Sequence, residues 1–162
     1  MIENVLEHLI DRFEQGGAHF RVIEHEACGH SSQSVADIRG TALGQGAKAL
    51  VCQLKGNGHK QFVLAVLPAD QQADLSKLAT ALGARRASLA TPEQVLELTG
   101  CILGAVPPVS FHPGLRLIVD PMLFTRFTEI AFNAGHRDRS ILIEASDFER
   151  IIAPEKLAFI KE

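Results

Sequence analysis

The sequence predicts an α+β fold in which a mixed, barrel-like β-sheet is surrounded by helices, and three observations carry that prediction. Apolar residues at helical spacing open the chain, two long apolar runs meet at a Gly-Asn-Gly turn, and strands and helices follow one another without the regular alternation of a doubly wound sheet. At 162 residues the chain has the length of one domain with a substantial core, so residues 1–162 are read as a single unit.

Each element has its own local reason. Ile2, Val5, Leu6, Leu9, Ile10 and Phe13 form one helical stripe, and Gly16-Gly17 follows where a left-handed cap is wanted. HFRVIEH reads as a short strand, with Val22 and Ile23 as branched apolar bulk, and SSQSVADIRG as a short helix ending at Gly40. AKALVCQLKGNGHKQFVLAVLP is a hairpin with strands near 47–54 and 60–67. Both faces of its second strand are apolar, because Phe62, Leu64 and Val66 alternate with Val63, Ala65 and Leu67, which predicts a central strand covered on both sides. Asp70 is expected to cap a helix whose apolar positions Leu75, Leu78, Ala79 and Leu82 stop at Gly83. TPEQVLEL begins a helix with Thr91 as N-cap, Pro92 at the first turn and Gln94 completing a capping box, and Gly100 closes it. LRLIVD, TEIAFNAG and SILIEA read as strands, and Asp120-Pro121 and residues 146–149 start two further short helices.

Bulk composition narrows the function classes. Nine Phe with no Trp and no Tyr exclude a tryptophan-built cage and leave pockets that are aliphatic, Phe-lined or built from backbone. A formal net charge of -3 lacks the footprint of a dedicated nucleic-acid binder, so any RNA is held weakly or locally. Local basic patches fall at Lys55, His59 and Lys60, at Arg85 and Arg86, and at Arg137 and Arg139, each of which also reads as a solvated turn or strand end. Three cysteines without a secretory signal predict reduced thiols and a cytoplasmic address, and no apolar run has the length of a membrane span.

Two stretches stand out chemically. The glycine-rich approach Gly44-Gln45-Gly46 leads to Lys48, which shares a strand face with Leu50, Cys52 and Leu54, so its ammonium either snorkels into water or is aimed into a cleft to hold an anion such as a phosphate. GAVPPVSFHPG, residues 104–114, is stiffened by Pro107 and Pro108, which makes the N–H groups of Gly104, Ala105 and Val106 candidate preorganised donors. The alternative is a plain rigid connector. His25, Cys28 and His30 in HEACGH lie near one another, but their spacing matches no paired zinc pattern. Cys52 reads as a small hydrophobe, Cys101 follows a helix-ending glycine, and nothing singles out either, or His112, as half of a nucleophilic pair. No nucleophile elbow, P-loop, dinucleotide fingerprint or HExxH occurs.

Taken together, a strand ending in His25, AKALVCQLK with its lysine, DLSKLA, TPEQVLELTG, GAVPP and FNAGHRDRSILIEASD resemble the YbaK family, also found as the editing domain inserted in bacterial prolyl-tRNA synthetases. The chain is similar to the free-standing, YeaK-like branch, over about residues 19–152. The resemblance implies the mixed barrel-like fold and a metal-free, cofactor-free hydrolase that removes small amino acids (alanine, serine or threonine) from mischarged tRNA in trans. Lys48 matches the family lysine and is implied to grip the terminal adenosine's phosphate. Gly104 and Pro108 match the family's GxxxP loop, with Ala105 and Val106 between them, and are implied to hold the aminoacyl end, while a ribose hydroxyl helps activate water. Pro107 is an extra proline inside that loop and removes a donor after Val106. Asn133 lies in the strand-to-turn context where relatives carry a substrate-side asparagine, and His25 is placed with it on the substrate side, whereas His136 reads better as a turn residue. The implied partner is aminoacyl-tRNA, held weakly and transiently, with a synthetase as a further candidate. Two other readings stand beside this one: a non-catalytic binding module for aminoacyl ends or nucleotides, and a metal hydrolase at His25, Cys28 and His30.

Overall fold

The computed structural model describes residues 4–27 and 32–162. Helix α1 (Val5–Gln15) buries Val5, Leu9 and Phe13, part of the expected stripe, while Ile2 lies outside the described residues. Strand β1 (Phe20–Glu24) and helix α2 (Ser32–Arg39) follow. A 3-10 turn at Leu43–Gln45 leads into the hairpin of β2 (Ala47–Gly56) and β3 (His59–Pro68), whose turn uses positive φ at Asn57 and Gly58. Helix α3 (Leu75–Ala81), strand β4 (Arg86–Leu89) and helix α4 (Pro92–Thr99) come next, the last with its full Thr91–Gln94 capping box. Strand β5 (Leu115–Val119), a 3-10 turn at Pro121–Phe124, strands β6 (Glu129–His136) and β7 (Arg139–Glu144), helix α5 (Ala145–Ile152) and strand β8 (Glu155–Lys156) complete the chain.

The strands form two sheets, β1-β7-β6 and β4-β2-β3-β5-β8, joined by a parallel bridge between Gly46 and Ala131. The mixed α+β class is as expected, and β3 is the central strand. The barrel-like closure is not seen among the described residues, because that bridge is the one backbone pairing between the sheets and both keep open edges.

Alternation along β3 explains its two apolar faces. Leu64 and Val66 join the larger core with Leu9, Phe13, Val51, Phe132, Ile141 and Phe148, between the two sheets and under α1 and α5. Val63, Ala65 and Leu67 face the second core with Cys52, Leu54, Leu78, Ile118 and Phe159. At about 25 cal/mol per Å² of apolar area, each buried leucine of this double layer contributes on the order of 1.5–3 kcal/mol.

Two local expectations are corrected. Asp74, not Asp70, caps α3, its carboxylate accepting from the Lys77 amide at 3.0 Å, because Asp70 is engaged by Arg126. Strands β4 and β8 were not anticipated. β4 is four residues, mostly exposed, and β8 is two, so neither carries enough apolar alternation to be read without its pairing partner.

Candidate functional site

Lys48 is the second residue of β2, just after the bridge that joins the sheets. Its stem shares the face of Leu50, Cys52 and Leu54, as alternation required, and it is half-buried. Burial lowers the ammonium's pKa, and the charge of Asp70 partly restores it. Nζ donates to the Gln71 carbonyl at 2.8 Å, which uses one of three donors, and no other acceptor for it lies among the described residues. Asp70 is held by two bonds from Arg126, at 2.7 and 2.8 Å, and the Arg126 hydrogen bond lowers its carboxyl pKa. Gly44 is glycine for a steric reason: a Cβ there would stand 2.7 Å from an Asp70 oxygen.

The stiff loop is set on its inner side by packing. Ala105, Pro107, Pro108 and Val109 are buried, while Gly104 is exposed with φ +86°. The Ala105 N–H, expected to be a free donor, is instead bonded to the Ile102 carbonyl at 3.1 Å, because the backbone turns tightly there. Among the described residues, the amides of Gly104 and Val106 meet no acceptor, so they are the donors this loop has to offer. The Ala105 carbonyl accepts from Gly135 N at 2.9 Å, which lays the loop along β6.

Beside the loop stands a polar network. Asn133 Nδ2 donates to the Gly104 carbonyl, and Asn133 Oδ1 accepts from Arg39 Nη2 at 2.8 Å. Arg39 Nε donates to Ser140 Oγ at 2.8 Å, and that fully buried hydroxyl is also within 2.8 Å of His25 Nε2. His25 Nδ1 lies 2.7 Å from the Glu26 carbonyl, which can only accept, so Nδ1 donates there, and the Ser140 hydroxyl in turn donates to Asn133 Oδ1 at 3.2 Å. The expected substrate-side residues His25 and Asn133 are therefore brought together with Gly104. Arg39 and Ser140, which join them, were not foreseen: an arginine before a glycine and a serine inside an apolar strand carry no local signal.

The two halves share one edge. Gly46 attaches to β6 at Ala131 and Ala105 attaches at Gly135, four residues along, roughly 13 Å at ~3.3 Å per residue. A Cβ on Gly46 would stand 3.8 Å from Arg39 Nη1, and Lys48, two residues on in extended backbone, projects to the same side. Beside Gly104 opens a cavity of about 320 Å³ lined by Cys101, Ile102, Ala105, Gly135, Arg137 and Asp138, among others.

Other sequence candidates separate from this edge. Cys28 and His30 lie outside the described residues, and His112 serves a local turn, accepting from Gly114 N at 2.8 Å. Burial pushes the Cys52 thiol up to about 11 and raises Cys101, the reverse of what a nucleophile needs. Among the described residues the one grouping of three metal-capable side chains is His19, Glu144 and Asp147, at the surface, where His19 Nδ1 is 3.0 Å from Asp147 and pairs with it. The basic patches at 55–60 and 85–86 prove to be one: Lys55 lies opposite both Lys60 and Arg86, so three exposed cations form a row across β3, β2 and β4.

The chain is similar to several known proteins. A family model described as the aminoacyl-tRNA editing domain matches residues 26–151. The chain is 60% identical over 151 residues to the Multifunctional Ser/Thr-tRNA deacylase ProXp-y of Escherichia coli (strain K12), an overlap covering 93% of this chain and 90% of that protein. It is 30% identical over 111 residues to the proline-tRNA ligase of Trichlorobacter lovleyi (strain ATCC BAA-1151 / DSM 17278 / SZ), covering 67% of this chain and 19% of that enzyme. A crystal structure of a candidate trans-editing enzyme for prolyl tRNA synthetase shares the fold, with a TM-score of 0.79 at 23% identity over 100% of both chains.

Proposed function

The chain belongs to the aminoacyl-tRNA editing domain family, and from that membership we propose that it hydrolyses, in trans, the ester joining serine or threonine to tRNA. The single observation that supports the site is the shared edge of β6, to which the lysine-bearing strand and the loop at Gly104 both attach. Lys48 holds the phosphate of the terminal nucleotide, its remaining N–H donors taking the oxygens. The open amides of Gly104 and Val106 receive the ester carbonyl and the negative charge that develops on it. Ala105 and Pro108 shape the loop from within, and His25 and Asn133 hold its outer side.

Water attacks the carbonyl carbon, the bond to the ribose oxygen breaks, and that oxygen leaves as the hydroxyl of uncharged tRNA while the amino acid departs as its acid. The neighbouring ribose hydroxyl orients the water and relays its proton, so no metal or cofactor enters the scheme. One methylene is worth only about 1–3 kcal/mol in a pocket, which is why a single site accepts both serine and threonine. Residues 1–162 act as one editing unit in the cytoplasm. The partial likeness to a proline-tRNA ligase makes a synthetase a natural source of the mischarged substrate. The cationic row at Lys60, Lys55 and Arg86 gives the RNA backbone a local hold on a chain whose net charge is -3.

The test is hydrolysis of separately mischarged tRNAs, with and without chelator, beside Lys48→Ala. Chelator-resistant release that falls at least about tenfold in the variant is expected, the order of a lost charged contact worth about 1.5–3 kcal/mol. Binding of tRNA without release would make the chain a binding module instead.

A further inference from the structure

We propose that Arg39 is a positioning residue of this reaction, acting through Asn133 on the Gly104 loop. A guanidinium has donors only, so it dictates which end of an amide can face it. Arg39 Nη2, 2.8 Å from Asn133 Oδ1, turns that oxygen inward and thereby aims Nδ2 outward at the Gly104 carbonyl. Ser140 Oγ, seated by Arg39 Nε, donates to the same oxygen at 3.2 Å, so removing the guanidinium takes away the shorter of these two bonds to Oδ1 and the support of the other. With the guanidinium in place, the carbonyl is pinned on the side opposite the Ala105 N–H bond to Ile102, the peptide plane from Gly104 to Ala105 is held at both ends, and the loop keeps its φ of +86° at Gly104.

The seat of the guanidinium is itself rigid. Nε is 2.8 Å from Ser140 Oγ, the second residue of β7 and fully buried, and Nη1 lies toward Gly46, just before the lysine strand. Arg39 therefore bonds, through one planar group, the residue that holds Gly104 and lies beside the glycine that precedes the Lys48 strand. This is the arrangement by which supporting hydrogen bonds keep reacting groups within a fraction of an ångström of their working positions.

The role rests on the deacylase reading, so two independent readouts are needed. The first is the side-chain amide signal of Asn133 by NMR in the full chain without RNA: one slowly exchanging Nδ2 proton in the natural protein, and rapid exchange in Arg39→Ala. The second is deacylation of seryl-tRNA. There Arg39→Ala is expected to lower kcat about tenfold, the order of one lost charged hydrogen bond, with KM within twofold. Arg39→Lys, still a pure donor, recovers part of the rate, and Arg39→Ala combined with Asn133→Ala is no slower than either alone. Arg39→Gln keeps bulk but offers an acceptor as well as a donor, and reads the same link if the alanine variant does not fold. An unchanged Asn133 signal, additive losses, or a rise in KM with kcat intact overturns the proposal, the last by making Arg39 a direct phosphate contact. A natural protein that releases no amino acid refutes the deacylase reading instead, and the NMR signal still decides whether Arg39 commands Asn133.

Discussion

Replacing Gly104 asks how much of the rate resides in one backbone conformation. A Cβ at this position would approach nothing nearer than Arg137 Nε at 3.6 Å, an ordinary contact, so Gly104→Val does not fail for want of room. It fails because φ is +86°, where a side-chain-bearing residue costs of order 1–3 kcal/mol, most for a β-branched one. The loop is exposed at this residue, and its next peptide plane is held by two hydrogen bonds, from Asn133 to the Gly104 carbonyl and from the Ala105 amide to Ile102, so the cheaper response is for Gly104 to swing to negative φ. That motion takes the carbonyl off Asn133 and turns the Gly104 amide from the ester. Losing one preorganised donor to a developing oxyanion costs about 100- to 1,000-fold in rate. Single-turnover release of serine from mischarged tRNA measures this, with urea unfolding alongside. We expect Gly104→Val to lose at least about 100-fold in rate while stability falls by no more than about 3 kcal/mol. Gly104→Asn, which tolerates positive φ better than other side chains, keeps more activity than Val. A valine variant within twofold of the natural rate would remove the loop from the mechanism, and an asparagine variant as slow as valine would refute the conformational argument.

Charge and pH give two further outcomes. Neutralising the row with Lys55→Gln, Lys60→Gln and Arg86→Gln together raises KM for mischarged tRNA and leaves kcat within twofold, and the slope of log affinity against log salt falls by about 2–3, at ~0.7–0.9 per phosphate contact. An unchanged slope would mean that these cations only guard a sheet edge. At the other surface, hydrogen bonding from the His19 backbone and ring holds the Asp147 carboxyl down at about 2, and the hydrogen bond and charge of Asp147, with Glu144, raise the His19 ring above its ordinary value. The carboxylate's contribution is present above its unfolded pKa and lost as pH falls toward 2. The imidazolium's contribution is complete below the ordinary histidine value and lost as pH rises through the raised one. Their bond, which ties the start of β1 to α5, is thus strongest between about pH 4 and 6.5. His19→Ala should lower Tm more at pH 5.5 than at pH 9, and an equal loss at both would show that the ring adds nothing beyond its backbone N–H.

Much of the fold was legible because its causes are local. The Thr91 capping box, the Gly-Asn-Gly turn and the doubly apolar β3 are patterns within a dozen residues, and each is present in the fold. The failures were local patterns with two claimants. Asp70 and Asp74 both precede α3, and only the approach of Arg126 from 56 residues away decides that Asp74 caps it. Strand β4 is a strand because β2 offers it an edge, not because of its own alternation.

The candidate site divides in the same way. Lys48 and the 104–108 loop could be singled out from composition and stiffness, since a cation on an apolar face and two adjacent prolines are visible in any linear reading. The residues that join them could not. Arg39 meets Asn133 across 94 positions and His25 meets Ser140 across 115, and the Ala105 amide is withdrawn by a turn that its own sequence does not announce. By itself, the order of residues determined the elements, the two-faced central strand and the chemistry on offer, because periodicity and capping act between near neighbours. Only the tertiary structure decided which of those groups share an edge of β6, because a hydrogen bond between distant residues exists only once packing of the apolar faces has set the register of both strands.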